Sequence, residues 1–66
     1  MNLIINGSAR EFAEPLTILD LLDRLEMTGK RVALERNGSI VPRSLHAQTL
    51  LADGDTLEIV VAVGGG

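Results

Sequence analysis

The sequence predicts an α+β fold, one mixed sheet of four to five strands with a single helix packed against it. Three observations carry that expectation. Asn6-Gly7 and Asn37-Gly38 each break a strand-like stretch, and Asn-Gly favours the type I′ hairpin turn because both central residues take positive φ. Between them, Ile18, Leu21, Leu22 and Leu25 recur at i, i+3, i+4 and i+7, one apolar stripe of a helix. A further apolar run fills residues 56–63 and reads as a strand.

Taken in order, Met1, Leu3 and Ile5 alternate with Asn2 and Ile4, the pattern of a half-buried strand. After the first turn a return strand covers 8–14 and stops at Pro15. Thr17 is a good N-cap and Asp20 completes a capping-box pattern. The helix is expected over 18–27, with Gly29 at its C-cap. Val32 and Leu34 mark a third strand, and Ile40-Val41 a short return ended by Pro42. Residues 43–52 read as one short turn plus loop, and Asp53-Gly54-Asp55 as the last turn. A helix that crosses over one face of a single sheet brings the first and last strands together as parallel neighbours in its middle. That is a β-grasp arrangement.

Sixty-six residues allow one domain and one small core. There is no cysteine, and a single histidine offers no ligand set, so neither disulfide nor zinc braces the chain. Nine acidic and six basic residues give a net charge of −3, with no basic stripe for nucleic acid. A mildly acidic surface suits a basic protein partner instead. No signal peptide or long apolar span is present, so the cytoplasm is the expected compartment, with no membrane association. Asn6-Gly7-Ser8 and Asn37-Gly38-Ser39 match the glycosylation sequon but read as turns.

The run of Gly64, Gly65 and Gly66 adds nothing to a core and is expected to form a flexible tail (64–66) after the domain (1–63). Such a tail is either a frayed end or a device for delivering a carboxylate into another protein's active site. The length, Ile40-Val41-Pro42-Arg43, Asp53-Gly54-Asp55 and the Val63-Gly64-Gly65-Gly66 end together resemble the small sulfur carriers of thiamin biosynthesis, the ThiS type. That family is ubiquitin-like in fold, and the resemblance covers the whole chain. Ubiquitin-type tails carry arginines before the diglycine, whereas Val61-Ala62-Val63 stands here, which favours a bacterial carrier over a conjugated modifier. The molybdopterin-type carrier is longer and richer in Phe and Pro near its end.

The resemblance implies a protein co-substrate rather than an enzyme, binding no cofactor itself. An adenylating enzyme of ubiquitin-activating type (ThiF-like), using ATP and magnesium, would join AMP to the Gly66 carboxylate. Sulfur from cysteine, delivered through a desulfurase, would replace AMP to leave a thiocarboxylate. Thiazole synthase (ThiG-like) would then take that sulfur into the thiazole ring. Gly64 and Gly65 would pass through the partner's narrow channel, where a side chain would obstruct the approach and recognition falls to main-chain hydrogen bonds.

With Leu57 and Ile59 facing the helix, Val60 and Ala62 join Ile4 on the open face of the sheet as an expected docking patch. His46 is expected to be a solvated surface residue. The pairs Asp20/Asp23 and Asp53/Asp55 read as helix polar face and turn chemistry, and Arg36 as a solvated charge. Nothing forms a nucleophile with its base, so the catalytic and metal sets are empty. Two readings compete: a sulfur carrier, for thiamin or for molybdopterin or another pathway, and a plain ubiquitin-like interaction module. In either the free chain is expected to be a monomer.

Overall fold

In the computed structural model, which describes residues 1–62, both Asn-Gly pairs are tight turns. Asn6 and Gly7 have φ of 49° and 84°, and Asn37 and Gly38 have 50° and 87°. They join β1 (Asn2–Ile5) to β2 (Ser8–Glu11) and β3 (Val32–Arg36) to β4 (Ser39–Ile40). Helix α1 (Ile18–Arg24) lies between the hairpins, and β5 (Thr56–Val61) follows a short 3₁₀ turn, Arg43–Leu45. The strands form one five-stranded sheet in the order β2-β1-β5-β3-β4. β5 runs parallel to β1 and antiparallel to β3, so the first and last strands are central neighbours as expected of a β-grasp. Val63, Gly64, Gly65 and Gly66 lie outside the described residues, and with them the expected boundary between domain and tail.

One face of the sheet carries the core. Leu3 and Ile5 of β1, Leu34 of β3, and Leu57 and Ile59 of β5 meet Ile18, Leu21 and Leu22 of α1, with Leu16 and Leu51 closing the ends. Thr17 caps α1 as expected: its hydroxyl accepts from the Asp20 N–H while the Asp20 carboxylate accepts from the Thr17 N–H. Those two bonds to Thr17 hold the Asp20 carboxyl below its ordinary range.

Two element ends differ from the sequence reading. β2 stops at Glu11 rather than reaching residue 14, because its partner runs out. Phe12 already bonds Met1, its N–H donating to the Met1 carbonyl and its carbonyl accepting from the terminal ammonium. α1 stops at Arg24 rather than 27, and Gly29 is not its cap. Glu26 takes the left-handed conformation instead, at φ 59°. Its N–H donates to the Asp23 carbonyl, and the Met27 N–H reaches back to Leu22 at 2.8 Å, the paired bonds of a Schellman motif. Leu25 is thereby left half-buried at the core's margin.

β5 is held by more than its neighbouring strands. β1 ends at Ile5, yet the Asn6 side chain continues the ladder: its Oδ1 accepts from the Ile59 N–H at 2.7 Å and its Nδ2 donates to the Ile59 carbonyl at 3.1 Å. Asn37 repeats the device on the other side, its Oδ1 accepting from the Thr56 N–H at 2.9 Å. Its Nδ2 donates to Asp55, whose carboxylate also accepts from Arg36 Nε at 2.8 Å and from the Ala52 N–H at 2.9 Å. Asp55 and Arg36, expected as turn chemistry and a solvated charge, therefore form a half-buried ion pair at the root of β5. Burial opposes ionisation of Asp55, but the Ala52, Asn37 and Arg36 donors outweigh it and hold the carboxyl below its ordinary value. Asp53 fixes the same turn to β1 through the Asn2 N–H at 2.6 Å.

Three outcomes are expected. Leu22→Ala empties a buried site on α1 and should cost about 2–5 kcal/mol in urea unfolding; a loss below about 1 kcal/mol, the range of surface changes, would contradict this packing. Asn6→Gly keeps the positive φ but deletes both bonds to Ile59, so stability should fall by about 1–3 kcal/mol. The Ile59 amide should then lose hydrogen-exchange protection, and unchanged protection would show that the amide contributes nothing. A depressed folded-state pKa gives stability that is present above the unfolded carboxyl value and lost as pH falls through the folded one. Urea midpoints followed from neutrality to about pH 2 should thus show a shallower acid decline in Asp55→Asn than in the parent. Asp20 keeps the decline from vanishing, and parallel curves would refute the Asp55 linkage.

Candidate functional site

Alternation along β5 sends Leu57 and Ile59 into the core and leaves Thr56, Glu58 and Val60 on the open face of the sheet. Val60 is 65% exposed and stands opposite Ala33 of β3. Ala62, just past the strand, is also exposed, and its N–H donates to the Arg31 carbonyl at 2.8 Å. Ile4 is exposed on the same face but stands opposite Thr56. The parallel register therefore sets Ile4 four residues short of Val60 along β5, about 13 Å away rather than side by side.

The sequence reading missed Ile40. It is 72% exposed, more than any other large apolar side chain among the described residues. β4 pairs it with Glu35, which in turn stands opposite Glu58. The open face thus carries Val60, Ala33 and Ala62 toward the end of β5, then two facing carboxylates, then Ile40. Like charges directly opposite each other on a sheet are destabilising. Among the described residues the one ion pair is Arg36 with Asp55, so no cation answers Glu35 or Glu58. A strand of two residues has no alternation to read, and only its pairing shows which way Ile40 faces. The arrangement sets apolar contact area beside negative charge on the open face.

No group of three or more His, Asp or Glu capable of holding a metal occurs among the described residues. His46 is not solvated as expected but 4% exposed. Its Nε2 lies 3.0 Å from the Val41 carbonyl, and its own carbonyl accepts from the Leu19 N–H, tying the 3₁₀ turn to α1. The Val41 carbonyl can satisfy only one ring nitrogen, as acceptor for its N–H, and nothing in the local sequence announces that contact. The expected site residues Gly64, Gly65 and Gly66 lie outside the described residues. Among those described, no helix is long and apolar enough to cross a membrane.

Comparison with known proteins fits this geometry. The model of the ThiS family matches residues 3–66. The chain is 33% identical over 66 residues to the sulfur carrier protein ThiS of Escherichia coli, each covering the other completely. It is 48% identical over its whole length to part of a thiazole synthase of Paramagnetospirillum magneticum, spanning 20% of that longer protein. A crystal structure of the thiamine biosynthesis protein ThiS from Geobacter metallireducens superposes with a TM-score of 0.84 at 35% identity, with complete coverage of both chains. A five-stranded β-grasp sheet under one helix and a family match reaching Gly66 lead to one assignment: the chain belongs to the ThiS family, the small sulfur carriers of thiamin biosynthesis.

Proposed function

We propose that the chain carries sulfur on its own C-terminal carboxylate at Gly66. A carboxylate is a poor electrophile until one oxygen becomes part of a leaving group. In the proposed cycle a Gly66 oxygen attacks the α-phosphorus of magnesium-bound ATP on an adenylating enzyme of ThiF-like type, and pyrophosphate leaves. A persulfide that a desulfurase forms from cysteine then attacks the acyl carbon through its outer sulfur and AMP departs. A second thiol attacks the inner sulfur of the resulting acyl disulfide, forming a disulfide and releasing the thiocarboxylate. A ThiG-like thiazole synthase takes up that sulfur. The likeness to part of a thiazole synthase in P. magneticum supports the last partner.

The single observation that carries this reading is the side-chain-free run Gly64-Gly65-Gly66, which follows a central strand, β5, after Ala62 and Val63. Glycines let a backbone lie close against ATP in a channel tight enough to exclude water. Docking falls to the open face around Val60 and Ala62, with Ile4 further along it.

Lengthening the chain by one residue after Gly66 moves the carboxylate by about 3.5 Å, and deleting Gly66 moves it equally far back. Both variants should fold like the parent, and both should fail to support exchange of label between pyrophosphate and ATP on the adenylating enzyme. Normal exchange with either would remove Gly66 from the chemistry and favour a plain interaction module. Val60→Asp places an ion in an apolar contact that must be desolvated, so it should raise KM for the carrier while leaving its unfolding unchanged. Unaltered kinetics in a folded Val60→Asp protein would move the docking surface elsewhere.

A further inference from the structure

The Schellman end of α1 folds Met27 back toward Leu22 and opens a groove on the helix side of the sheet. The groove holds about 220 Å³ between α1, the loop that follows it and the 3₁₀ turn. Leu19, Leu22, Met27 and Val32 supply its apolar lining, and Lys30 and Arg43 its charge. The chain as a whole is acidic at −3, yet two cations and no acid line this groove. Neither Lys30 nor Arg43 is in an ion pair among the described residues. Leu19 is 47% exposed beside them.

We propose that this groove is a second docking site, taking an apolar side chain that a partner protein presents next to carboxylates. Size excludes a whole cofactor or nucleotide, since pockets for such ligands run from about 300 to 1,000 Å³. One large side chain fits. Charge selects what flanks it: carboxylates on the partner meet Lys30 and Arg43, where a basic segment would be repelled. Position gives the contact its use. Val32 of the lining pairs with Val61, and Arg31 accepts the Ala62 N–H, so the groove opens beside the end of β5. Val60 lies on the opposite side of the same sheet. A protein that engages the chain's C-terminal segment through the groove leaves the Val60 face free, and the two faces distinguish two partners of one carrier.

The test reads binding by the free carrier and is independent of any chemistry at Gly66. The probe is acetyl-Glu-Phe-Glu-amide, titrated into isotope-labelled protein and followed by amide chemical shifts. Shifts confined to Leu19, residues 28–32 and residues 43–47 are expected, with no such response to acetyl-Lys-Phe-Lys-amide. Arg43→Glu and Lys30→Glu, both at exposed positions, should keep a folded spectrum and weaken binding of the acidic peptide by about tenfold each. Shifts centred on another surface, equal binding of the basic peptide, or unchanged affinity in both variants would overturn the proposal. Phenylacetate binding as tightly as the peptide would overturn the assignment to a protein segment.

Discussion

Everything in this small molecule depends on β5 being a central strand. It is the last strand among the described residues, and in a chain without cysteine it is held by pairing on both sides. β1 is too short to pair its whole length, and the gap is filled by one side chain. The Asn6 amide has the same donor and acceptor as a peptide unit and satisfies Ile59 as another residue of strand would. Asn37, Asp55 and Arg36 close the opposite corner at Thr56. β5 is thus anchored from two hairpins, each turning at an asparagine.

In the proposed cycle this anchoring has a use. A carrier that works by presenting its terminus needs a body that keeps the point of departure fixed and a surface that partners grip. The core side of the sheet supplies the first through aliphatic packing under α1. In the proposed cycle the open side offers the second, and there the sheet tolerates a facing Glu35–Glu58 pair that costs stability in the free protein. Conflict between local stability and surface charge is expected where a surface is kept for binding rather than for folding.

Much of the fold is legible because it rests on local patterns with a strict period. The stripe from Ile18 to Leu22, the Thr17–Asp20 box and both Asn-Gly turns are written in adjacent residues, and the structure has each where the sequence put it. The inward Leu57 and Ile59 and the outward Val60 follow from alternation alone. What escaped reading depends on partners distant in sequence. The Asp55 carboxylate is held by Arg36 and Asn37, 19 and 18 residues away, as well as by the nearby Ala52 N–H, and the buried His46 is tied through its carbonyl to Leu19 of α1. α1 ended early because Glu26 took a conformation usually left to glycine, and the bonds to Asp23 and Leu22 outweighed its strain. Register, which pattern does not fix, separated Ile4 from Val60 and turned Ile40 onto the open face. The glycine end, Gly64 to Gly66, lies outside the described residues, and its part in the chemistry rests on the proposed cycle.

The most direct test of the account is the intact mass of this protein after incubation with the adenylating enzyme, ATP, magnesium, the desulfurase and cysteine. The account predicts a species heavier by the replacement of one oxygen with one sulfur, with fragmentation placing the change at Gly66. A sulfur addition at any other residue, or an unmodified mass under conditions in which thiazole synthase receives sulfur, would contradict it.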